Sequence, residues 1–189
     1  MRYLGNKSKL LGFISSVIDK YHITGDTFAD IFSGTGSVGD FFKDRFELIG
    51  NDYMYYSKVI YGAKFLNKDI PSFSKFTQKY GCSPFEYLNS ASFKEDDSYF
   101  VLNNLTPRAD RMFFTESNAL KIDGIRQSIE KWYENKILSY PEYLYLLASL
   151  LESVLRVSNT SGTFPQILVC FPAAQASAHS PIGEDGVIG

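Results

Sequence analysis

The sequence predicts an α/β fold, a mostly parallel sheet with flanking helices, and three observations carry that expectation. Apolar strand patterns alternate with helical ones up to Leu66, and such alternation implies parallel strands joined by crossover helices. A glycine-rich turn, Ser33-Gly34-Thr35-Gly36-Ser37-Val38-Gly39, sits between the first strand pattern and the helix after it. Further on, two stretches of helical period, Gly124 to Asn135 and Pro141 to Val157, supply amphipathic cover.

Taken in order, Leu10, Leu11, Ile14, Val17 and Ile18 recur at helical spacing and predict a helix from about Ser8 to Tyr21. Thr27 to Phe32 reads as a buried strand, Ser37 to Lys43 as a helix opening at the glycine turn, and Phe46 to Gly50 as the second strand. Tyr53 to Leu66 reads as helix. From Asn67 to Asp110 the pattern is irregular, aromatic and polar, broken by Pro71, Gly81 and Pro84, and reads as an insertion. Within it, Ser83-Pro84-Phe85 is a turn entering a short helix up to Leu88. The apolar run Met112-Phe113-Phe114 reads as a strand preceding Ser117-Asn118-Ala119-Leu120. In the last helix Leu144, Leu147, Leu151, Val154 and Leu155 are the expected core face, and the polar run Ser158 to Thr163 stops it.

The glycine turn is where chemistry is expected. Gly34 and Gly36 remove side chains where the backbone turns sharply and let a ligand lie against the main chain. With Gly39 they also satisfy the dinucleotide pattern G-x-G-x-x-G, so the glycines alone admit a nicotinamide cofactor, another adenosine ligand or an ordinary strand-to-helix turn. Asp30 and Asp40 bracket the turn with negative charge, which suits a cation and opposes a pyrophosphate. Asp52 ends the second strand, where an acid can accept hydrogen bonds from both ribose hydroxyls of a bound adenosine. Tyr53 and Met54 follow it and either cover an adenine face or open the next helix as core residues.

These motifs, together with Met1-Arg2-Tyr3-Leu4-Gly5-Asn6-Lys7-Ser8-Lys9-Leu10 ahead of them, resemble the opening of the α-group N6-adenine-specific DNA methyltransferases, the class that includes deoxyadenosine methylase. The order of motifs is the specific part. The resemblance implies a Rossmann-like fold dependent on S-adenosylmethionine, over residues 1–164 with the insertion at about 67–110, and incomplete. It implies that Asn6 and Lys7 close over the methionine end of the cofactor, that Asp30, Ser33, Gly34 and Gly36 form its floor, and that Asp52 takes the ribose. Asn118 corresponds to a residue that meets the adenine amine, although Asn after a strand is also a common helix cap. The implied activity is transfer of methyl to the exocyclic amine of a flipped adenine in double-stranded DNA, with no metal. A restriction-modification system, a cognate restriction endonuclease and a cytoplasmic location go with it.

The resemblance lacks its catalytic part. The family works through a D-P-P-Y or similar tetrapeptide beyond the cofactor motifs, and no Pro-Pro pair occurs in this chain. No catalytic residue is therefore assigned, and the chain alone is expected to transfer no methyl. The tail from Pro165 to Gly189 also departs in composition: none of the 19 Lys and Arg lies in it, and Glu184 and Asp185 are its only charges. It reads as a divergent tail, from a truncated or frame-shifted gene or from a true extension. Two rival functions follow: a catalytically inactive remnant or subunit that binds cofactor or DNA, and a nicotinamide-dependent oxidoreductase.

Bulk properties narrow the classes. At 189 residues the chain has room for one substantial core, and 44% apolar with 21% charged residues is ordinary for a globular protein. No apolar run is long enough to span a bilayer, and no signal-peptide core is present. Cys82 and Cys170 have no partner spacing for zinc or redox work. A net charge of −2 confines any DNA contact to local patches such as Arg2, Lys7 and Lys9, or to Arg108 and Arg111 in a loop that is otherwise simply solvated.

Overall fold

The structure, a computed structural model, describes residues 7–67 and 69–159. They fall into two compact units that divide between Asp69 and Ile70.

In the first unit a 3-10 turn, Lys7–Leu10, leads into α1 (Leu11–Lys20), followed by β1 (Thr27–Asp30), α2 (Ser37–Phe42), β2 (Glu47–Gly50) and α3 (Tyr55–Phe65). The two strands pair in parallel, with Phe28 beside Leu48 and Asp30 beside Gly50. Among the described residues the fold is thus mixed α/β, a small parallel sheet with many helices. Alternation of side chains along a strand puts Phe28 and Leu48 on one face, where they pack with Leu11, Ile14 and Phe46 around buried Ile18, Val38 and Phe42. The Phe28 and Phe42 rings stack at 4.8 Å. Strand β1 ends two residues earlier than its apolar pattern, because the Asp30 carboxylate accepts the Phe32 N–H at 3.3 Å and turns the chain out of the ladder.

The second unit contains α4 (Ser74–Tyr80), α5 (Pro84–Ser90), α6 (Phe100–Asn104), a 3-10 turn Pro107–Ala109, α7 (Glu116–Glu134) and α8 (Tyr140–Val157). The stretch expected to be irregular therefore holds three short helices. Its aromatic residues form a ring cluster on α7: Phe76, Tyr80 and Tyr87 lie 4.5, 6.2 and 5.5 Å from the Trp132 ring. That packing, invisible to local periodicity, stabilises helices too short to form alone. Helix α5 does start as the sequence predicts, with Pro84 in its first turn and a Ser83–Glu86 capping box.

Helix α7 begins well before Gly124, capped by Thr115, whose hydroxyl accepts the Asn118 N–H at 3.2 Å. Asn118 is thus inside the helix rather than its cap. The run Met112 to Phe114 is not a strand. Its carbonyls are held instead by buried Asn159, which donates its amide N–H2 to Met112 at 3.0 Å and its backbone N–H to Phe113 at 2.8 Å. Helix α8 presents a different face from the one expected, burying Tyr143, Leu146, Leu150, Ser153 and Val157 while Leu155 is exposed and only Leu144 of the predicted stripe is buried. Its apolar residues circle the helix, so period alone does not select a face. The tail at 165–189 and the polar residues from Thr160 onward lie outside the described residues.

Candidate functional site

The glycine turn is shaped by its backbone. Gly34 has φ 52° and Gly36 φ 76°, a left-handed region in which a side chain is disfavoured, so both positions need glycine to make the turn. The turn is tied down from three sides. Ser33 N–H donates to the Asn51 carbonyl at 2.9 Å, and Asn51 N–H to the Asp30 carbonyl at 2.9 Å, so two backbone bonds join the chain just past the end of the ladder. Lys64 of α3 donates to the Thr35 carbonyl at 3.0 Å. Asp52 completes the clamp: one carboxylate oxygen accepts Gly34 N–H at 2.8 Å and the other Met54 N–H at 2.9 Å.

Those two backbone bonds, Met54's first, hold the Asp52 carboxyl below the usual aspartate range against desolvation, with smaller help from Ser57 and Lys7. Asp52 is only half-buried and stays ionised at neutral pH. Each of its oxygens keeps a further lone-pair direction for a hydroxyl donor.

Asp30 behaves differently. It is 9% exposed, its Oδ1 takes the Phe32 N–H and stands 3.6 Å from Lys7 Nζ, and its Oδ2 is buried without a hydrogen-bond partner among the described residues. Lys7 Nζ also donates to the Phe32 carbonyl at 2.8 Å, so it holds the strand end as well as the acid. A buried carboxylate oxygen with no donor is costly, and this one lies beside a turn that only glycine can make. Ser33 and Thr35 are buried in the same turn.

Lys7, Asp30, Ser33, Gly34, Gly36 and Asp52 are therefore brought together within the first unit. Asn6 lies outside the described residues. Tyr53 is 99% exposed, which removes its reading as a core residue and leaves the ring free to cover a ligand. Met54 is exposed too. Asp40 pairs with Lys43 at 3.0 Å on the solvent side of α2. Asn118 belongs to the second unit, where its side chain is fully buried with neither amide atom paired among the described residues. Sequence reasoning missed Lys64, which reaches the Thr35 carbonyl, and Tyr61, whose ring lies against Gly36, Gly39 and Gly50, since a helical lysine or tyrosine carries no local sign of the loop it will meet.

The arginine loop does not offer a free fork to phosphate. Arg108 is engaged by Glu95 at 2.9 and 2.7 Å and by Glu116 at 2.9 and 2.7 Å, and these carboxylates raise its already high pKa. Its charge is neutralised by carboxylates on either side of the loop, Glu95 before α6 and Glu116 at the start of α7.

A family model described as D12 class N6 adenine-specific DNA methyltransferase matches residues 3–171. The chain belongs to that family. Modification methylase LlaI of Lactococcus lactis subsp. lactis is 58% identical over 164 residues, covering 87% of this chain and 26% of that protein. Type II methyltransferase M.FokI of Planomicrobium okeanokoites is 38% identical over 168 residues, again 87% of this chain and 26% of the relative. Type II methyltransferase M.NlaIII of Neisseria lactamica is 30% identical over 198 residues, 98% of this chain and 56% of the relative. The chain thus spans about a quarter of the first two relatives and about half of the third. No solved structure is a significant match. Among the described residues no helix is long and apolar enough to cross a membrane, and no acid, His and Cys group is arranged to hold a metal ion.

Proposed function

We propose that this chain is the S-adenosylmethionine-binding part of a Rossmann-like, adenine-specific DNA methyltransferase, a DNA-binding transferase of a restriction-modification system. The observation that carries the reading is Asp30 Oδ2, a buried acceptor without a donor at a turn whose glycines admit a ligand to the backbone. The donor set fits the cofactor: Asp30 for its ammonium group, Asp52 for the ribose hydroxyls, Gly34 and Gly36 for close approach, and exposed Tyr53 for the adenine face. Lys7, bonded to the Phe32 carbonyl, keeps the strand end and Asp30 in place. When bound, the cofactor supplies an electrophilic methyl group to the exocyclic amine of a flipped adenine.

The family description and the relatives' names, modification methylase and type II methyltransferase, support DNA methylation as the reaction; double-stranded DNA as substrate, a cognate restriction endonuclease and a cytoplasmic location complete the reading. A nicotinamide cofactor is disfavoured because its pyrophosphate would meet Asp30 at the glycine turn. One observation favours a second reading, a cofactor-binding subunit without its own catalysis: the chain has no Pro-Pro pair from which a D-P-P-Y segment could be built. Tritiated-methyl transfer from S-adenosylmethionine to mixed-sequence duplex DNA separates the two. The expected result is no incorporation by the 189-residue chain, and incorporation once a family-like segment carrying the tetrapeptide is joined after Phe164. Robust incorporation by the chain as it stands would overturn the second reading.

A further inference from the structure

Three glycines of the first unit leave room for the same ring. A Cβ on Gly50 would lie 2.3 Å from Tyr61 Cζ, one on Gly39 would lie 3.3 Å from the Tyr61 hydroxyl, and one on Gly36 would lie 3.4 Å from its ring. Gly36 needs glycine for its left-handed backbone, but Gly39 and Gly50 have no positive φ. What those two positions need is the absence of a side chain, and the ring of Tyr61 is what fills the space. The neighbouring Phe65 ring, 4.4 Å from that of Tyr61, shares the cover over Gly36 and Gly39.

Filling alone would be served equally by phenylalanine. Tyr61 instead carries a hydroxyl that is out of solvent and has no hydrogen-bond partner among the described residues. Burial raises its pKa, and the charge of Asp30 raises it further, so the group stays a neutral phenol and a donor. Asp30 Oδ2 and Ser57 Oγ are the other buried polar side-chain atoms of this unit without a partner among the described residues, and of the two Asp30 Oδ2 belongs to the acid whose charge Tyr61 feels. A donor and an acceptor within electrostatic reach of each other are thus both unused, a pattern that native cores avoid unless something else satisfies it.

We propose that Tyr61 is a binding and specificity residue whose hydroxyl, with Asp30, receives the zwitterionic amino-acid end of the ligand. The hydroxyl donates to the ligand's carboxylate and Asp30 accepts from its ammonium. The proposal rests on the reading of the turn as an S-adenosylmethionine site. Only a terminus bearing both charges uses both atoms: a phosphate would use the hydroxyl and be repelled by Asp30, and a plain adenosine would use neither.

The test pairs a change in the protein with a change in the ligand. Tyr61→Phe keeps the ring over Gly50 and removes one oxygen. Calorimetric titrations would use S-adenosylhomocysteine, its decarboxylated analogue and methylthioadenosine, which lacks the whole amino-acid end. Tyr61→Phe should weaken S-adenosylhomocysteine by roughly tenfold, the worth of one hydrogen bond to a charged group, and leave the two ligands without a carboxylate unchanged. Equal weakening of all three, or of none while the unaltered protein binds S-adenosylhomocysteine, would overturn the role of Tyr61 alone. Failure of the unaltered protein to bind S-adenosylhomocysteine would remove the underlying site and this proposal with it. If Tyr61→Phe melts early, the ligand series on the unaltered protein still decides, since equal affinity for S-adenosylhomocysteine and its decarboxylated analogue would leave the hydroxyl no carboxylate to serve.

Discussion

Asp52 in the first unit and Asp123 in the second each accept two backbone N–H hydrogen bonds, but in opposite surroundings. Asp123, on α7 and 4% exposed, takes Val101 N–H at 3.1 Å and Leu102 N–H at 2.8 Å and so fastens the start of α6 to α7. Asp52 takes Gly34 and Met54 N–H at similar distances while half-buried at a strand end. Around Asp123 the helices close: Ile122, Ile125 and Ile129 are buried beside it on α7, and the aromatic cluster surrounds Trp132 one turn further on. Around Asp52 the chain stays open, with Tyr53, Met54 and Phe32 exposed. A closed carboxylate has finished its bonding, whereas an open one with its backbone bonds already made is a pre-arranged acceptor. The difference gives Asp123 a structural role and leaves Asp52 the acceptor that the proposed function uses for binding.

The largest effect expected is on stability, from Asp123→Ala. It leaves two buried N–H groups without acceptors, which costs on the order of 3 kcal/mol. Urea unfolding would check it, and a loss under about 1 kcal/mol would show that water or a shifted helix replaces the acid. Asp52→Ala should differ in kind: a smaller loss of stability, because one of its two donors, Met54 N–H, belongs to an exposed residue, but a loss of about 1.5 to 3 kcal/mol in affinity for S-adenosylhomocysteine. The folded state lowers this acid's pKa, so what it adds to stability is present above the ordinary 3.8 and vanishes as pH falls through the lowered value. The stability gap between the unaltered protein and Asp52→Ala should therefore close only in strong acid. A gap that closes near neutrality would contradict the clamp.

The smallest contrast lies between two glycines. A Cβ on Gly124 would meet the Phe93 ring at 2.3 Å, just as one on Gly50 would meet Tyr61. Overpacking costs about 1 to 3 kcal/mol. In α7 a gain of about 1 kcal/mol in helix propensity offsets part of it. Gly124→Ala should lower the melting temperature modestly and leave ligand affinity alone, while Gly50→Ala should weaken binding as the Tyr61 ring is displaced. Unaltered binding in Gly50→Ala would separate that ring from the site.

What could be read from the sequence was local. The order from β1 through the glycine turn, α2, β2 and α3 followed from period and from glycine, and Asp30, Gly34, Gly36 and Asp52 were identified with it. The bonds that give those residues their character join distant positions: Asp52 to Gly34, Lys64 to Thr35, Lys7 to Phe32. In the second unit distance dominates further. Trp132 organises helices that period alone reads as irregular, Asn159 holds an apolar run that looks like a strand, and Glu95 and Glu116 neutralise an arginine that looks available to phosphate. Helix α8 shows the remaining limit, since an apolar surface that circles a helix names no buried face.

Isothermal titration of the chain with S-adenosylhomocysteine and, separately, with NAD tests the central claim most directly, with Asp30→Asn as the matched variant. Binding of S-adenosylhomocysteine that Asp30→Asn weakens by roughly tenfold or more, together with no measurable binding of NAD, is the result expected of a buried acceptor that awaits an ammonium group. Preferential binding of NAD, or S-adenosylhomocysteine affinity indifferent to Asp30→Asn, would contradict it.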